Sequence, residues 1–244
     1  MRRIFLFLGV SFLLFSCSNV GSKKEAVVAE SLSTNLQSSG LPVSIEFTSG
    51  KSFYHPLIVF WVEDNDGKYI STLYASKSIA TGIFRYGVNK DGKWTPGERR
   101  RPAALPYWSH KRGVKASDGL LIPSADSPLP DAITGATPQG NFVLSTSVPT
   151  GYATLRFFME VNQTWDWNEY WHNSKFPNDE EYKTSCQPAV VYSVEVDLSK
   201  GAGIYQFKPI GHSHPSGVTG ELFPDLSTLT TALEIASKVT VTVP

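Results

Sequence analysis

Short runs in which apolar and polar residues alternate recur along this chain, and they confine it to a fold built from sheets. Val190, Tyr192, Val194, Val196 and Leu198 alternate with Val191, Ser193, Glu195 and Asp197, the period of two expected of a strand with one buried face. Val43, Ile45 and Phe47 repeat the pattern, as do Leu155, Phe157, Met159 and Val161 against Thr154, Arg156, Phe158, Glu160 and Asn162. Val239, Val241 and Val243 close the chain in the same way. Leu57–Val62 is apolar throughout, which suits a central strand covered on both sides. Asp64-Asn65-Asp66-Gly67 follows it and predicts a tight reversal into Tyr69–Tyr74, with Gly67 supplying positive φ.

Phe142–Ser147 is a further strand, and the turn at Ser199–Gly203 predicts Ile204–Ile210 as a hairpin partner for the strand beginning at Val190. Thr231-Ala232-Leu233-Glu234 matches a capping box and predicts a short helix. Between Gly82 and Pro130 the alternation lapses amid Gly, Pro, Arg and Lys, so this stretch reads as a long irregular insertion rather than a strand pair. Many short strands and one helix imply an all-β protein, an antiparallel β-sandwich of Ig-like type, formed as one domain by residues 41–244.

The N-terminus carries an address. Met1-Arg2-Arg3, the apolar run Ile4–Phe15 and Ser16-Cys17 resemble a bacterial lipoprotein signal, with Leu14-Phe15-Ser16-Cys17 as the lipobox. The run is short of the ~20 apolar residues that span a bilayer. Residues 1–16 are expected to be a signal peptide, Cys17 the lipidated anchor, and residues 18–40, rich in Ser, Asn, Gly, Lys and Glu, a flexible tether. An ordinary secretory signal cut nearby is the alternative. Either places the folded part outside the cytoplasm, and Ser18-Asn19 after the cysteine favours a periplasm-facing outer-membrane site. The chain has 22 Lys and Arg against 22 Asp and Glu, a balance that offers no electrostatic footprint for nucleic acid or acidic lipid. Of its two cysteines, lipidation of Cys17 would leave Cys186 unpaired, which excludes a disulfide framework and suits a buried small hydrophobe.

Three segments carry the residue types of a site. Glu160, Asn162, Trp165, Asp166, Trp167, Asn168, Glu169, Tyr170 and Trp171 start on the polar face of a strand and run into a loop, where indole rings beside carboxylates and amides suit a sugar, a peptide or a flat aromatic ligand. The competing reading folds the tryptophans over the sandwich end, with Asp166 and Asn168 making turn hydrogen bonds. Gly211-His212-Ser213-His214-Pro215-Ser216-Gly217 places His212 and His214 on one side of an extended segment, where either His172 or Glu221 could complete a three-ligand metal site. The competing reading is a shaped loop whose imidazoles bond backbone groups.

The third segment, Asp131-Ala132-Ile133-Thr134-Gly135-Ala136-Thr137, resembles the acceptor motif of extracytosolic flavoproteins, in which a flavin transferase attaches FMN to the last threonine. That resemblance makes Thr137 a covalent flavin candidate; the competing reading is a Gly-rich turn. The basic cluster Arg99-Arg100-Arg101 with Lys111-Arg112 reads as a solvated face, with an anionic partner as the alternative. Ser109-His110 lacks an acid in any recognised order.

The succession of Val62-Glu63-Asp64-Asn65-Asp66-Gly67, the Asp131–Pro138 segment, the Glu160–Tyr170 run, the Gly211–Gly217 loop and the closing Thr230-Thr231-Ala232 resembles the DUF2271 family of predicted periplasmic proteins over roughly Pro42 to Pro244. The resemblance implies a sandwich fold, the extracytosolic compartment and association with flavin transferases and membrane redox proteins; it implies no catalytic residue. The expectation is a lipid-anchored binding or accessory module, not an enzyme, in a flavin-linked redox context. A covalently flavinylated electron-transfer protein and a metal-binding protein are the alternatives.

Overall fold

The alternating segments pair into two sheets that pack face to face. The computed structural model describes residues 29–36 and 39–244; the signal segment, Cys17 and much of the expected tether lie outside the described residues. The strands β1 (Glu30–Ser33), β2 (Leu41–Ser49), β3 (Leu57–Glu63) and β4 (Tyr69–Ser76) lead into helix α1 (Lys77–Thr81), a hairpin of β5 (Ile83–Lys90) and β6 (Lys93–Glu98), and helix α2 (Pro106–Arg112). There follow β7 (Thr134–Gly135), β8 (Phe142–Val148), β9 (Thr154–Asn162), helix α3 (Glu180–Ser185), β10 (Val190–Asp197), β11 (Gly203–Gln206), β12 (Lys208–His212) and β13 (Ala236–Val243).

One sheet has the order β1-β8-β2-β13-β11 and the other β12-β10-β9-β3-β4-β7. Pairing is antiparallel except at two edges, where β1 runs parallel to β8 and β7 parallel to β4. The inward residues of the first sheet, among them Ile45, Phe47, Phe142, Leu144 and Val241, meet Ile58, Phe60, Val62, Phe157 and Met159 of the second in one buried core. Phe47 stacks on Phe142 with ring centroids 4.8 Å apart, and Phe60 meets Phe142 edge-on. The Asp64–Gly67 reversal forms as expected: the Asp64 N–H donates to Lys68 O, and Gly67 has φ 76°.

The second sheet is covered on its other face as well, which accounts for the unbroken apolar run Leu57–Val62 in β3. Val59, Trp61, Phe158 and Val191 pack against Leu105, Tyr107 and Trp108 of the insertion. Trp61 lies parallel to Phe158 with centroids 5.0 Å apart. The insertion is therefore a third layer, and it corrects the expectation of an irregular excursion. Its β5 and β6 form a hairpin with Lys90 opposite Lys93, and α2 docks on the sheet.

Three further expectations give way. Glu30–Ser33, placed in the tether, pairs with Phe142–Ser145 and belongs to the sandwich. Ile204–Ile210 is not one hairpin partner of β10: β11 pairs with β13, the chain crosses between sheets at the buried Phe207, and only β12 pairs with β10. Thr231–Glu234 is a single 3-10 turn without a side-chain cap. The Thr231 hydroxyl donates to Asp166, and Glu234 bonds Lys51 and Ser52 rather than reaching back.

Candidate functional site

β9 ends at Asn162, and the chain leaves the sheet carrying four large aromatic residues. Trp165, Trp167 and Tyr170 remain 55%, 57% and 49% exposed, whereas Trp171 is 6% exposed and joins the core. The backbone beneath them is held firmly. The N–H groups of Trp165 and Asp166 donate to Thr184 O and Ser185 O at the end of α3, and the Gln187 N–H donates back to Asp166 O. Trp165 has φ 58° and Cys186, beside Asp166 in that bridge, has φ 65°. Left-handed backbone at a bulky residue is costly and persists only where its surroundings enforce it.

A polar network does the enforcing. Asn168 accepts the N–H groups of Tyr170 and Trp171 through Oδ1, which makes the turn. Its Nδ2 donates to Thr228 O and to Gln187 Oε1. The fully buried Gln187 also accepts the Thr230 N–H and donates to the Thr231 hydroxyl. Asp166 completes the ring by accepting from Thr231, and burial raises its carboxyl above the usual range. Asp166 and Asn168 thus brace the loop rather than face solvent freely. Gln187, Thr228, Thr230 and Thr231 escape a reading of the sequence because they come from segments with no site-like composition.

Glu160 and Asn162 are placed differently from the polar strand face expected of them. Both are buried, because the insertion covers that face. Helix α2 begins with Pro106 and has no side-chain cap of its own; Glu160 supplies one from β9, accepting the Tyr107 N–H at 3.2 Å and the Trp108 N–H at 2.8 Å. Asn162 bonds Gln187 O and Ser185 Oγ. Neither can touch a ligand at the loop. Glu169 is exposed.

The aromatic loop and the histidine loop, separate in sequence, share one cleft. Tyr170, Trp171, His212, His214, Phe223 and Asp225 line a space of about 370 Å³. His212 stacks on Phe223 at 5.3 Å and meets Trp171 edge-on at 5.7 Å. The Lys175 ammonium lies 3.3 Å from the Tyr170 ring centroid and 5.0 Å from that of Trp171, fixing both rings by cation–π attraction. Burial holds His212 below the usual imidazole range.

The three-ligand metal set is not assembled: among the described residues no group of three or more His, Cys, Asp or Glu could hold an ion. His212 Nδ1 is spent on Ser213 O, His214 Nδ1 accepts the Ser216 N–H, and His172 Nδ1 bonds Ser174. Cys186 is buried and its thiol is pushed up to about 11, chiefly by desolvation, so it is a poor nucleophile.

Thr137 follows β7, whose parallel pairing with β4 and the Tyr74 hydroxyl bond to Ala136 O fix the segment. Gly135 is required there, since a Cβ would lie 2.9 Å from Tyr74 Cε2. Thr137 is half-buried and its backbone carbonyl accepts from Gln139. The segment fits the need for a reachable hydroxyl and so could serve as an attachment point.

The basic cluster is dispersed. Lys111 bonds the buried Glu63, Arg100 pairs with Asp118, Arg101 lies over Phe84 and donates to Thr164, and Arg112 lies over Trp108. No family model, curated protein or solved structure matches the chain.

Proposed function

We propose that this protein is a lipid-anchored extracytosolic binding module that takes its ligand at the Trp165–Trp171 end of the sandwich, as an accessory in a flavin-linked redox context. The observation that supports the reading is the exposure of Trp165, Trp167 and Tyr170 on one braced loop. Large aromatic surface left in water on a rigid backbone is the pattern of a contact site, because its ordering cost is already met in the free protein. A binding role fits this better than a catalytic one, since Asp166 braces the loop and the Nδ1 atoms of His212 and His214 are bonded to backbone.

The test is a photoreactive amino acid placed at Trp167 in the full chain in cells. A discrete adduct from that position, lost when Trp165 and Tyr170 are both replaced by Ala while the melting temperature holds, supports the module. Absence of any adduct overturns it. Intact mass of the membrane-extracted protein reads the lipid at Cys17 directly.

A second reading, covalent FMN at Thr137, is favoured by the fixed, partly accessible acceptor segment. Co-expression with a flavin transferase should then add the mass of FMN, and Thr137→Ala should abolish it. An unchanged mass removes covalent attachment.

A further inference from the structure

The hydrogen bonds of the two histidines fix what each offers to the cleft. His212 Nδ1 lies 2.8 Å from Ser213 O, and a carbonyl can only accept, so Nδ1 carries the proton. The neutral ring then presents the unprotonated Nε2, which has no partner among the described residues although His212 is only 6% exposed. His214 is the reverse. Its Nδ1 accepts the Ser216 N–H at 3.1 Å, so its proton sits on Nε2, a donor.

The cleft therefore offers an acceptor at His212, a donor at His214 and the carboxylate of Asp225, beside the rings of Tyr170, Trp171 and Phe223. A second cation is opposed by the Lys175 ammonium already seated on Tyr170. An anion would share the cleft with the Asp225 carboxylate, and that one negative charge beside the one positive charge of Lys175 leaves the cleft with no net charge to select an ion of either sign. What remains is a neutral group that donates and accepts at close intervals and has an apolar face to stack. Hydroxyls do both, and the C–H face of a pyranose stacks on aromatic rings.

We propose that this cleft binds an uncharged sugar ring, with one hydroxyl donating to His212 Nε2 and another accepting from His214 Nε2–H. The proposal rests on the reading of this end of the sandwich as ligand-binding and names its ligand class. A volume of about 370 Å³ lies at the small end of ligand sites, so the cleft holds one or two rings rather than a long chain.

Saturation-transfer NMR on the full folded domain, with glucose, galactose, N-acetylglucosamine, cellobiose and chitobiose as probes and riboflavin and indole-3-acetate as comparators, tests this. At least one sugar should receive saturation. His212→Phe keeps the stack on Phe223 but removes Nε2, and should weaken that binding by about tenfold or more. Trp94→Ala, on the β5–β6 hairpin and not a lining residue of the cleft, should leave it unchanged. No transfer to any sugar, or equal binding by His212→Phe, overturns the proposal. Binding of a comparator alone overturns the sugar class while keeping the site, and the photocrosslink at Trp167 reports separately on the exposed aromatic loop.

Discussion

Glu160 Oε2 accepts the backbone N–H of Trp108 at 2.8 Å, so a strand carboxylate caps a helix fifty-two residues away in the chain. The contact joins the second sheet to the layer that covers it. Trp108, fully buried, donates its indole N–H to Thr72 on β4, and the helix is pinned at both its backbone and its largest side chain.

That carboxylate should make stability fall as pH rises. Burial favours the protonated form and outweighs the two N–H bonds, pushing the Glu160 carboxyl up to about 8, against roughly 4.3 in an unfolded chain. Between those values the native state binds more protons than the unfolded one. The contribution is therefore complete below the lower value and is lost as pH rises through the upper one, with a limiting slope of about 1.4 kcal/mol per pH unit. Glu160→Gln should flatten this slope in urea denaturation between pH 5 and 9. A variant that keeps the wild-type slope would place the pH dependence elsewhere.

Trp165→Gly should lower stability by no more than about 2 kcal/mol. The residue has φ 58° and is 55% exposed, so the left-handed strain that glycine relieves offsets part of what the half-buried ring contributes. The same change should abolish the photocrosslink from Trp167. A melting temperature lowered by many degrees would show Trp165 to be core and remove it from the contact surface.

Gln187→Met should cost about 2–4 kcal/mol despite similar volume. It leaves the Thr230 N–H and the Asn168 amide without their shared acceptor inside the fold. Because Asn168 also turns the chain toward Trp171, the near-UV circular dichroism of the aromatic loop should weaken in parallel. A loss of stability without that change would separate Gln187 from the loop.

The alternation of β2, β9, β10 and β13 was legible because a residue pattern with period two has few other uses. The Asp64–Gly67 turn was legible because its side chains and glycine satisfy a specific backbone geometry. Glu160 misled because alternation says which residues share a face, not whether something covers that face, and the covering helix lies in a stretch without helical periodicity. The β11–β12 crossing was hidden for a related reason: a continuous strand pattern does not say where the chain changes partner sheets. In the site, the tryptophans and histidines stood out by composition. The convergence of Tyr170 and Trp171 with His212 and His214 on one cleft depends on Phe223, Asp225 and Thr228, which carry no local signal.

The start of the folded unit makes a last prediction. Glu30–Ser33 adds a parallel strand to β8, and just beyond it the buried Thr34 donates to Leu73 O of the opposite sheet at 2.7 Å, tying the two sheets together at that edge. Asn35 adds a backbone bond to Ala132 O, beside the Thr137 segment. A chain beginning at Gly40 loses all of these, exposes the β8 edge and should be less stable by about 2–3 kcal/mol than one beginning at Ser22. Hydrogen exchange should also quicken at Phe142–Ser145 and around Ile133. If the two chains denature at the same urea concentration, residues 30–35 act as tether after all, and the sandwich begins at β2.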